Sequence, residues 1–196
     1  MKRVQSNSAH FLIYECKNTS AACTWAQHFV NAASALDNAS PYSTVFDIDD
    51  TLIFAKTDRI NTDVAKLYKT IPHAVNRVVV TARPTRSKAF SKRQLKLLDD
   101  DMPLKMFHMP DHFSRRGEIH LYKSKCRKNV EANSEILLNI GDQWTDVFGT
   151  TSVVENAFDL EESGEFAPDK SYVILPQSDR GREILSSSAS VKLPSK

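Results

Sequence analysis

Three aspartates follow a short apolar run in the segment VFDIDDTLIF, at positions 47, 49 and 50. Carboxylates set so close together repel one another, and beside a buried strand they need solvent or a cation in order to coexist. Mg²⁺ takes oxygen ligands of this kind, usually one or two carboxylates together with water and substrate phosphate. The spacing of Asp47, Asp49 and Asp50 therefore indicates a metal site at the end of a strand.

Two further apolar runs also end in residues that can do chemistry. The run RVVVT ends at Thr81, with Arg83 just after it. The run EILLNI leads into GDQWTD, which holds Asp142 and Asp146. In open α/β sheets, ligands bind outside the carboxyl ends of the strands. If the strands are parallel, these side chains meet Asp47 at one edge of the sheet.

Short apolar runs alternate along the chain with longer helical patterns. The runs cover residues 44–48, 77–81, 104–108, 135–140 and 171–175, and the helical patterns cover 21–36, 61–70, 85–98 and 123–132. Continuously apolar runs indicate strands buried on both faces, and their alternation with helices is typical of parallel sheets. We therefore predict an α/β, three-layer Rossmann-like fold with a mainly parallel central sheet of about five strands. The segments between the runs are too short to hold a separate domain inserted as a cap over this edge of the sheet.

The composition is ordinary for one globular domain. The chain has 196 residues, of which 41% are apolar and 26% are charged, and its formal net charge is +2. This charge gives no argument for nucleic acid as a general partner or for a membrane. No apolar run approaches the ~20 residues of a membrane span.

The glycines and cysteines indicate which binding sites are absent and in which compartment the protein works. With five glycines, the chain has neither a GxGxxG nor a GxxxxGK[ST] loop, which argues against a dinucleotide site or a P-loop. The three cysteines are odd in number and scattered, which is typical of free thiols in a reducing compartment. The basic start MKRVQSNSAHFLIYECK has only a brief, interrupted apolar part, so we predict no signal peptide and a cytoplasmic protein.

Four segments together resemble a known family. FDIDDTL, VVVTARP, YKSKCR and NIGDQWTDV stand in the order and rough spacing of the four motifs of the haloacid-dehalogenase-like phosphohydrolases. The residues of these motifs are most similar to those of the class B acid phosphatase and vegetative-storage-protein branch, notably YKS followed downstream by GDQWTD. The resemblance spans roughly residues 44–176.

The resemblance implies a role for each matching residue. Asp47 matches the nucleophile that attacks phosphorus and becomes an aspartyl phosphate, and Asp49 matches the general acid/base. Thr81 and Lys123 match the groups that hold the phosphoryl oxygens. Lys125 lies close to Lys123 in the third motif, and we prefer Lys123 because it matches the lysine of YKS.

The resemblance also implies a Mg²⁺ cofactor. Its ligands match Asp47, Asp142 and Asp49, the last through the backbone carbonyl. Asp146 matches a further ligand or a group that orients one. A carboxylate that attacks a phosphate dianion needs this positive charge, because the two reacting groups repel each other.

Three more residues lie where they can meet a substrate. Thr51 supplies a hydroxyl beside the aspartates, Arg83 supplies a cation after the second run, and His108 begins the loop after the third run. We predict that these three residues bind the phosphorylated substrate. The sequence leaves open whether that substrate is a small molecule or a macromolecule.

Basic residues cluster on the helix predicted over residues 85–98. They are Arg86, Lys88, Lys92, Arg93 and Lys96. Such a cluster is typical of a solvated helix face, and the alternative is a patch for phosphorylated polymers.

The chain divides into three parts on this interpretation. We predict an N-terminal helical extension over residues 1–42, the catalytic domain of the resembling family over 43–178, and a disordered tail over 179–196. The tail carries the polar segment SSSASVKLPSK, whose composition is typical of disorder.

The residues favour an enzyme. We predict a Mg²⁺-dependent phosphomonoester hydrolase that works through an aspartyl phosphate on Asp47, with Asp49 as the general acid/base. One alternative is a phosphotransferase that uses the same aspartyl phosphate. Another is a non-catalytic storage or binding protein on the same scaffold. Such a protein would be expected to have lost its nucleophile, whereas Asp47 is retained. The oligomeric state stays open.

Overall fold

The computed structural model describes residues 1–4, 10–36, 41–98, 103, 105–113 and 116–195, with residues 116 and 117 described by their backbone alone. Its strands are β1 (Lys2–Val4), β2 (Phe11–Cys16), β3 (Tyr42–Phe46), β4 (Ile53–Phe54), β5 (Arg59–Ile60), β6 (Val75–Pro84), β7 (Lys105–Met109), β8 (Glu135–Gly141), β9 (Ser171–Pro176) and β10 (Ala189–Lys192). Its α-helices are α1 (Thr19–Leu36), α2 (Thr62–Thr70), α3 (Lys88–Leu98), α4 (Arg116–Glu131), α5 (Trp144–Val147), α6 (Thr151–Glu162) and α7 (Asp179–Leu185).

Among the described residues, eight strands form one sheet, in the order β1-β2-β9-β10-β8-β3-β6-β7. The five neighbours β10, β8, β3, β6 and β7 run parallel to one another. β9 runs antiparallel to β10 and β2, and β1 runs antiparallel to β2. The predicted mainly parallel sheet is confirmed. The predicted count of about five strands is wrong, because β1, β2 and β10 lie in segments whose apolar runs are short or interrupted.

Apolar side chains on both faces of the sheet pack against helices. Along β3, Val45 packs in a cluster with Val130 of α4. The next residue, Phe46, packs on the opposite face in a cluster with Ala26 of α1 and Val64 of α2. This alternation is the two-residue period of a strand that is buried on both faces. Helices α1–α3 therefore cover one face and α4, α6 and α7 cover the other, which gives the predicted three layers.

Short connections join the strands around the centre of the sheet. Between β3 and β6 the chain forms the small β4–β5 hairpin and α2, and between β6 and β7 it forms a short 3₁₀ turn and α3. In the part of the chain that the structure describes, neither connection holds a separate cap domain, as predicted.

The C-terminal segment is ordered, which corrects the disordered tail predicted over residues 179–196. Helix α7 and strand β10 lie in this segment. β10 lies inside the sheet between β9 and β8, and all four of its residues are buried. The serine-rich segment is held by strand pairing on both sides and by the burial of Val191. Neither interaction can be seen in its composition.

The N-terminal segment also joins the sheet. We predicted a helical extension over residues 1–42, and α1 occupies Thr19–Leu36. In addition, β2 pairs along its six residues with β9. The segment therefore contributes strands as well as a helix, through a pairing with a strand that is distant in sequence.

Helix α1 buries only one of its faces. It is 18 residues long, and its buried residues are Ala22, Cys23, Ala26 and Val30. Within the described residues, neither this helix nor any other is long and apolar enough to cross a membrane.

The three cysteines are packing residues. Cys16, Cys23 and Cys126 are all buried and free. Burial raises the pKa of each thiol, which keeps the less reactive protonated form.

We predict that removing residues 189–196 unfolds the protein. The deletion exposes the edges of β8 and β9 and removes the buried side chains of Val191 and Leu193. Each of these side chains contributes about 1.5–3 kcal/mol when buried, against a total stability of about 5–15 kcal/mol. Circular dichroism and thermal melting measure the effect.

Removing residues 1–4 is the control for this deletion. Those residues form the outermost strand of the sheet, so the shortened protein is expected to keep a cooperative transition. A normal melting curve after removal of residues 189–196 would contradict the place of β10 in the sheet.

Candidate active and metal site

Three neighbouring strands bring polar side chains to the same edge of the sheet. β3 lies between β8 and β6. Asp47 follows β3, Asp142 follows β8, and Thr81 lies near the carboxyl end of β6. The backbone N–H of Asp47 donates to the carbonyl of Ile140 at 3.0 Å, which fixes it beside β8. The structure therefore brings these residues together in the way that a parallel sheet requires.

Three carboxylates meet at this edge. Asp47, Asp142 and Asp146 are only 4–5% exposed. Each offers an oxygen atom, and the three oxygens lie within 4.8 Å of one another. Oxygens at such separations can bind one hard cation together. The side chain of Asp49, the fourth residue of the predicted metal set, lies outside this group.

Lys123 of α4 lies among these carboxylates. Its Nζ is 3.1 Å from Oδ1 of Asp47, and it also donates to Oδ1 of Asp146. The Lys123 side chain is 4% exposed, whereas Lys125 is exposed. The two lysines differ because two positions along a helix turn a side chain by about 200°. Of the two competing lysines, Lys123 is the one at the site.

Burial controls the protonation of this cluster. Desolvation raises the pKa of Asp47 well above its ordinary value, although the charge of Lys123 opposes the rise. Desolvation and the charge of Asp146 raise the pKa of Asp142 to about 6. Desolvation by itself lowers the pKa of Lys123, but the charges of Asp146 and Asp47 outweigh it and the pKa rises. The lysine is therefore held charged, and burial opposes the ionisation of Asp47 and of Asp142.

A divalent cation fits this set of residues. Three ionised carboxylates that face one ammonium group leave two negative charges without a partner at the centre of the cluster. Buried charges are costly unless they are paired. Mg²⁺ carries two positive charges and prefers carboxylate oxygens. The chemistry of the donors therefore matches the predicted cofactor.

Arg83 holds Asp49 beside the cluster. Its Nε lies 3.0 and 2.9 Å from the two carboxylate oxygens of Asp49, and its Nη2 lies 2.7 Å from Oδ1. Its Nη1 donates to Gln94 and Ser91 of α3. All three guanidinium nitrogens therefore have protein acceptors, and the contact of Arg83 with substrate stays a prediction. The Asp49 side chain is 39% exposed, so it is open to solvent.

The other two predicted substrate residues lie around the same edge. Thr51 is buried, and its hydroxyl donates to Asp142 at 3.4 Å. His108 lies on β7 in register with Thr81. Burial lowers the pKa of His108, and neither ring nitrogen has a hydrogen-bond partner among the described residues. Their roles toward substrate stay predictions.

A tight turn and a hairpin follow Asp47. Asp50 adopts the left-handed backbone conformation, with φ 53°, which Asp tolerates better than most residues. Its Oδ1 accepts a hydrogen bond from the N–H of Ala55 at 3.1 Å, and the N–H of Ile53 donates to the carbonyl of Ile48 at 2.9 Å. The third aspartate of VFDIDDTLIF thus shapes the turn and lies apart from the carboxylate cluster.

The segment from Gly141 to Asp146 carries two of the clustered carboxylates. A Cβ atom at Gly141 would overlap the Asp146 side chain, so the close approach requires glycine. Oδ2 of Asp146 accepts from the backbone N–H of Gln143 at 3.0 Å, and the Gln143 side chain donates to Asp142 at 2.8 Å. The first of these bonds belongs to a capping box that starts α5, in which Gln143 is the N-cap residue. The cap of the helix therefore also orients both carboxylates.

The residues after β10 hold the same segment from the other side. The N–H of Leu193 donates to the carbonyl of Gly141 at 2.8 Å. The hydroxyl of Ser195 donates to the backbone carbonyl of Asp142 at 3.0 Å, and Ser195 accepts in turn from Nζ of Lys192 at 2.6 Å. The C-terminal segment therefore fixes the backbone of a predicted metal ligand.

Lys192 connects this contact to a buried charge network. It is fully buried, and its Nζ lies 3.6 Å from Oε2 of Glu161 and 5.0 Å from the ring centre of Trp144. Glu161 also accepts from Nε1 of Trp144 at 2.6 Å. Burial lowers the pKa of Lys192, and the charge of Glu161 opposes this. The acidic helix α6 therefore supplies the counter-ion of the C-terminal lysine.

The sequence motifs did not reveal these supporting residues. Arg127 is 1% exposed, and its guanidinium donates to the carbonyls of Thr145, Asp146 and Phe148. It thereby satisfies carbonyls at the end of α5, which no residue inside the helix can reach. For Lys192 the sequence does give one indication of burial, because this lysine lies between Val191 and Leu193 in SVKLP.

Comparisons with known proteins bear on the fold. No family model and no curated protein matches the chain. Among solved structures, the chain matches the Class C acid phosphatase from Bacillus anthracis with a TM-score of 0.53 and 16% sequence identity, over 76% of this chain and 74% of that chain. At this identity the likeness shows a shared α/β fold, which is consistent with the Rossmann-like fold predicted from the sequence. The class B branch stays a prediction.

We predict that Mg²⁺ stabilises the protein more strongly above pH 6 than below it. Asp142 has a pKa of about 6 in the folded protein without metal and ~3.9 when unfolded. Between these values the folded state binds the extra proton, so the free energy of unfolding of the metal-free protein falls as pH rises. Mg²⁺ needs the ionised carboxylate. Melting temperatures with and without Mg²⁺, one unit below and one unit above pH 6, measure the difference.

Two variants control this experiment. Asp142→Asn is expected to lose the Mg²⁺-dependent rise in melting temperature, because it removes a predicted ligand. Asp179→Asn changes an exposed carboxylate on α7 and is expected to keep the rise. A rise of equal size at both pH values would contradict the predicted linkage.

We predict that Ser195→Ala weakens Mg²⁺ binding about fivefold. The substitution removes a hydrogen bond worth about 1 kcal/mol from the backbone that carries Asp142. Titration of the melting temperature with Mg²⁺ measures the affinity. Ser188→Ala makes the same change at a serine that bonds Glu135, and it is expected to leave Mg²⁺ binding unchanged. Equal affinities for the two variants would show that the contact does not position the ligand.

Proposed function

We propose that this protein is a Mg²⁺-dependent phosphomonoester hydrolase that acts through Asp47. One observation carries the proposal: the buried Asp47 carboxylate follows the central strand β3, lies 3.1 Å from Lys123 and shares a compact cluster with Asp142 and Asp146. A purely structural ion pair would require only one carboxylate to neutralise Lys123, whereas three buried carboxylates surround this lysine. The fold shared with an acid phosphatase supports the same class of reaction.

Asp47 acts as the nucleophile. An oxygen of its carboxylate attacks the phosphorus of the monoester, the bond from phosphorus to the leaving oxygen breaks, and an aspartyl phosphate forms. Lys123 lies against Oδ1 of Asp47, so its charge reduces the repulsion between the carboxylate and the phosphate dianion. Thr81 accepts through Oγ1 from the N–H of Arg83 at 3.2 Å, which turns its own proton toward other acceptors. That proton is donated to a phosphoryl oxygen.

Asp49 acts as the general acid and base. It gives a proton to the leaving oxygen and then takes a proton from the water that attacks the aspartyl phosphate. The second step releases inorganic phosphate and restores Asp47. Arg83 orients the Asp49 carboxylate through both of its oxygens. The exposure of Asp49 supports this role, because the leaving group and the incoming water reach the site from the solvent.

Asp47, Asp142 and Asp146 hold the Mg²⁺, together with the backbone of Asp49. When bound, the ion supplies positive charge that allows a phosphate dianion to share the site with carboxylates. Thr51 donates to Asp142 and so orients one of these ligands. Oxygen donors of this kind suit Mg²⁺, whereas Zn²⁺ in proteins is bound mainly by Cys and His with fewer carboxylates.

We predict that Asp47→Asn lowers the turnover of a generic aryl phosphate by on the order of 10³-fold or more. The amide is nearly the same size as the carboxylate but is a poor nucleophile toward phosphorus. Turnover is measured with Mg²⁺ and with EDTA, and EDTA is expected to abolish the activity of the native protein.

Asp50→Asn is the control for Asp47→Asn. It makes the same change three residues along, at a position where Asn also tolerates the left-handed backbone. This variant is expected to keep most of the activity. Equal turnover by the native protein and Asp47→Asn would contradict the assignment of Asp47 as the nucleophile. No turnover by the native protein with any divalent metal would favour the non-catalytic alternative.

A further inference from the structure

Helix α3 presents a row of cations beside the site. Lys88, Lys92, Arg93 and Lys96 are all exposed, and the helix carries no acidic residue. Together with Lys105 at the start of β7, they line a groove of about 520 Å³, here called the basic groove. None of the ion pairs between described residues involves these five side chains. Among the described residues, the four cations of α3 therefore have no anionic side chain as a partner, whereas Nζ of Lys105 donates to Asn129 of α4 at 2.7 Å.

The spacing of the lysines fits an extended anion. Lys88, Lys92 and Lys96 repeat every four residues, so they lie on one side of the helix, where like charges repel. From the first to the third lysine the row extends about 12 Å along the helix, which is long enough to meet more than one phosphate of a nucleic-acid strand. The aspartates 99–101 that follow the helix in the sequence lie outside the described residues.

The basic groove begins at the candidate active site. On β7, His108 lies in register with Thr81, and Lys105 lies three residues earlier, about 10 Å along the strand. Helix α3 begins at Lys88, four residues after β6 ends at Pro84, so its first turn lies toward the carboxyl end of the sheet. One end of the groove therefore lies toward the candidate site, and the groove follows the edge strand β7 away from it.

An exposed aromatic ring lies at the same end of α3. Phe90 is 44% exposed, and the guanidinium carbon of Arg83 lies 5.5 Å from its ring centre. Arg83 in turn holds Asp49. Phe90 is two positions from Lys88 and from Lys92, so it lies on the other side of α3 from the lysine row and against Arg83, on the side of the candidate site. A nucleobase next to a phosphate at that site can stack on the ring.

We propose that the basic groove binds single-stranded nucleic acid whose terminal phosphate enters the site at Asp47. This inference rests on the proposed phosphatase function and names its substrate class. Proteins that bind single strands combine a positively charged groove with an aromatic stacking surface. A groove at the edge of a sheet suits a flexible strand better than a flat bilayer. The small net charge of +2 does not reveal this local positive charge, because it averages the basic groove with the rest of the chain.

The test uses a fluorescent single-stranded DNA octamer with a terminal phosphate. Its binding to full-length Asp47→Asn with Mg²⁺ is followed by anisotropy over a range of salt concentrations, since this variant leaves the phosphate in place. The logarithm of the affinity is expected to fall with the logarithm of salt by about 0.7 per phosphate contacted. Adding Lys92→Glu and Lys96→Glu is expected to weaken binding at least about tenfold and to lower this slope by about 1.4.

Two further variants separate the groove from net charge and from stacking. Lys66→Glu with Lys69→Glu makes the same change in charge on exposed residues of α2 and is expected to change binding less than about twofold. Phe90→Ala is expected to weaken binding about fivefold or more through lost stacking. Equal losses from the α2 pair and the α3 pair would overturn the groove as the binding surface.

The remaining outcomes also decide between the proposals. No salt-dependent binding of the octamer, or binding of anionic phosphatidylserine vesicles in its place, would overturn the nucleic-acid assignment. In the native background, Lys92→Glu with Lys96→Glu is expected to keep the turnover of the aryl phosphate within about twofold, because that small substrate does not reach the groove. Octamer binding without aryl phosphate turnover by the native protein would reject the hydrolase and leave the groove standing. Turnover without octamer binding would reject the groove alone.

Discussion

The contact of Lys123 with Asp47 and Asp146 is the interaction on which the rest of the site depends. Three carboxylates crowd together in a buried place, and burial raises the pKa of Asp47 and of Asp142. A single lysine reaches the cluster from α4, and the charges of its partners raise its pKa. The arrangement is electrostatically incomplete without a further cation. This incompleteness supports the proposed function, in which the site accepts both a metal ion and a phosphate dianion.

Contacts around the carboxylate cluster hold Asp142 and Asp146 in place against their mutual electrostatic repulsion. The segment that carries Asp142 and Asp146 is fixed by the capping box of α5, by Arg127 and by the residues after β10. These hydrogen bonds are buried or partly buried, so losing one of them leaves a polar group poorly solvated, which is costly. Rigid support of this kind keeps like charges at fixed separations, so that the two carboxylates stay aimed at one point.

The site separates a buried carboxylate from an exposed one. Asp47 is enclosed at the end of the central strand, whereas Asp49, two residues later, is turned outward and held by Arg83. No cap domain lies over this edge of the sheet in the described residues, and the Asp49 carboxylate is open to solvent.

The sequence by itself determined the α/β class, the mainly parallel sheet and the edge where Asp47, Thr81 and Asp142 meet. These follow from local patterns, because apolar runs mark buried strands and parallel strands share their carboxyl ends. Only the tertiary structure decided that β2 and β10 join the sheet, that Asp49 is held by Arg83 outside the carboxylate cluster, and that Ser195 supports Asp142. Each of these depends on a contact between residues distant in sequence. Such contacts leave no periodicity in the chain, since burial and strand pairing can order a serine-rich segment that its composition marks as disordered.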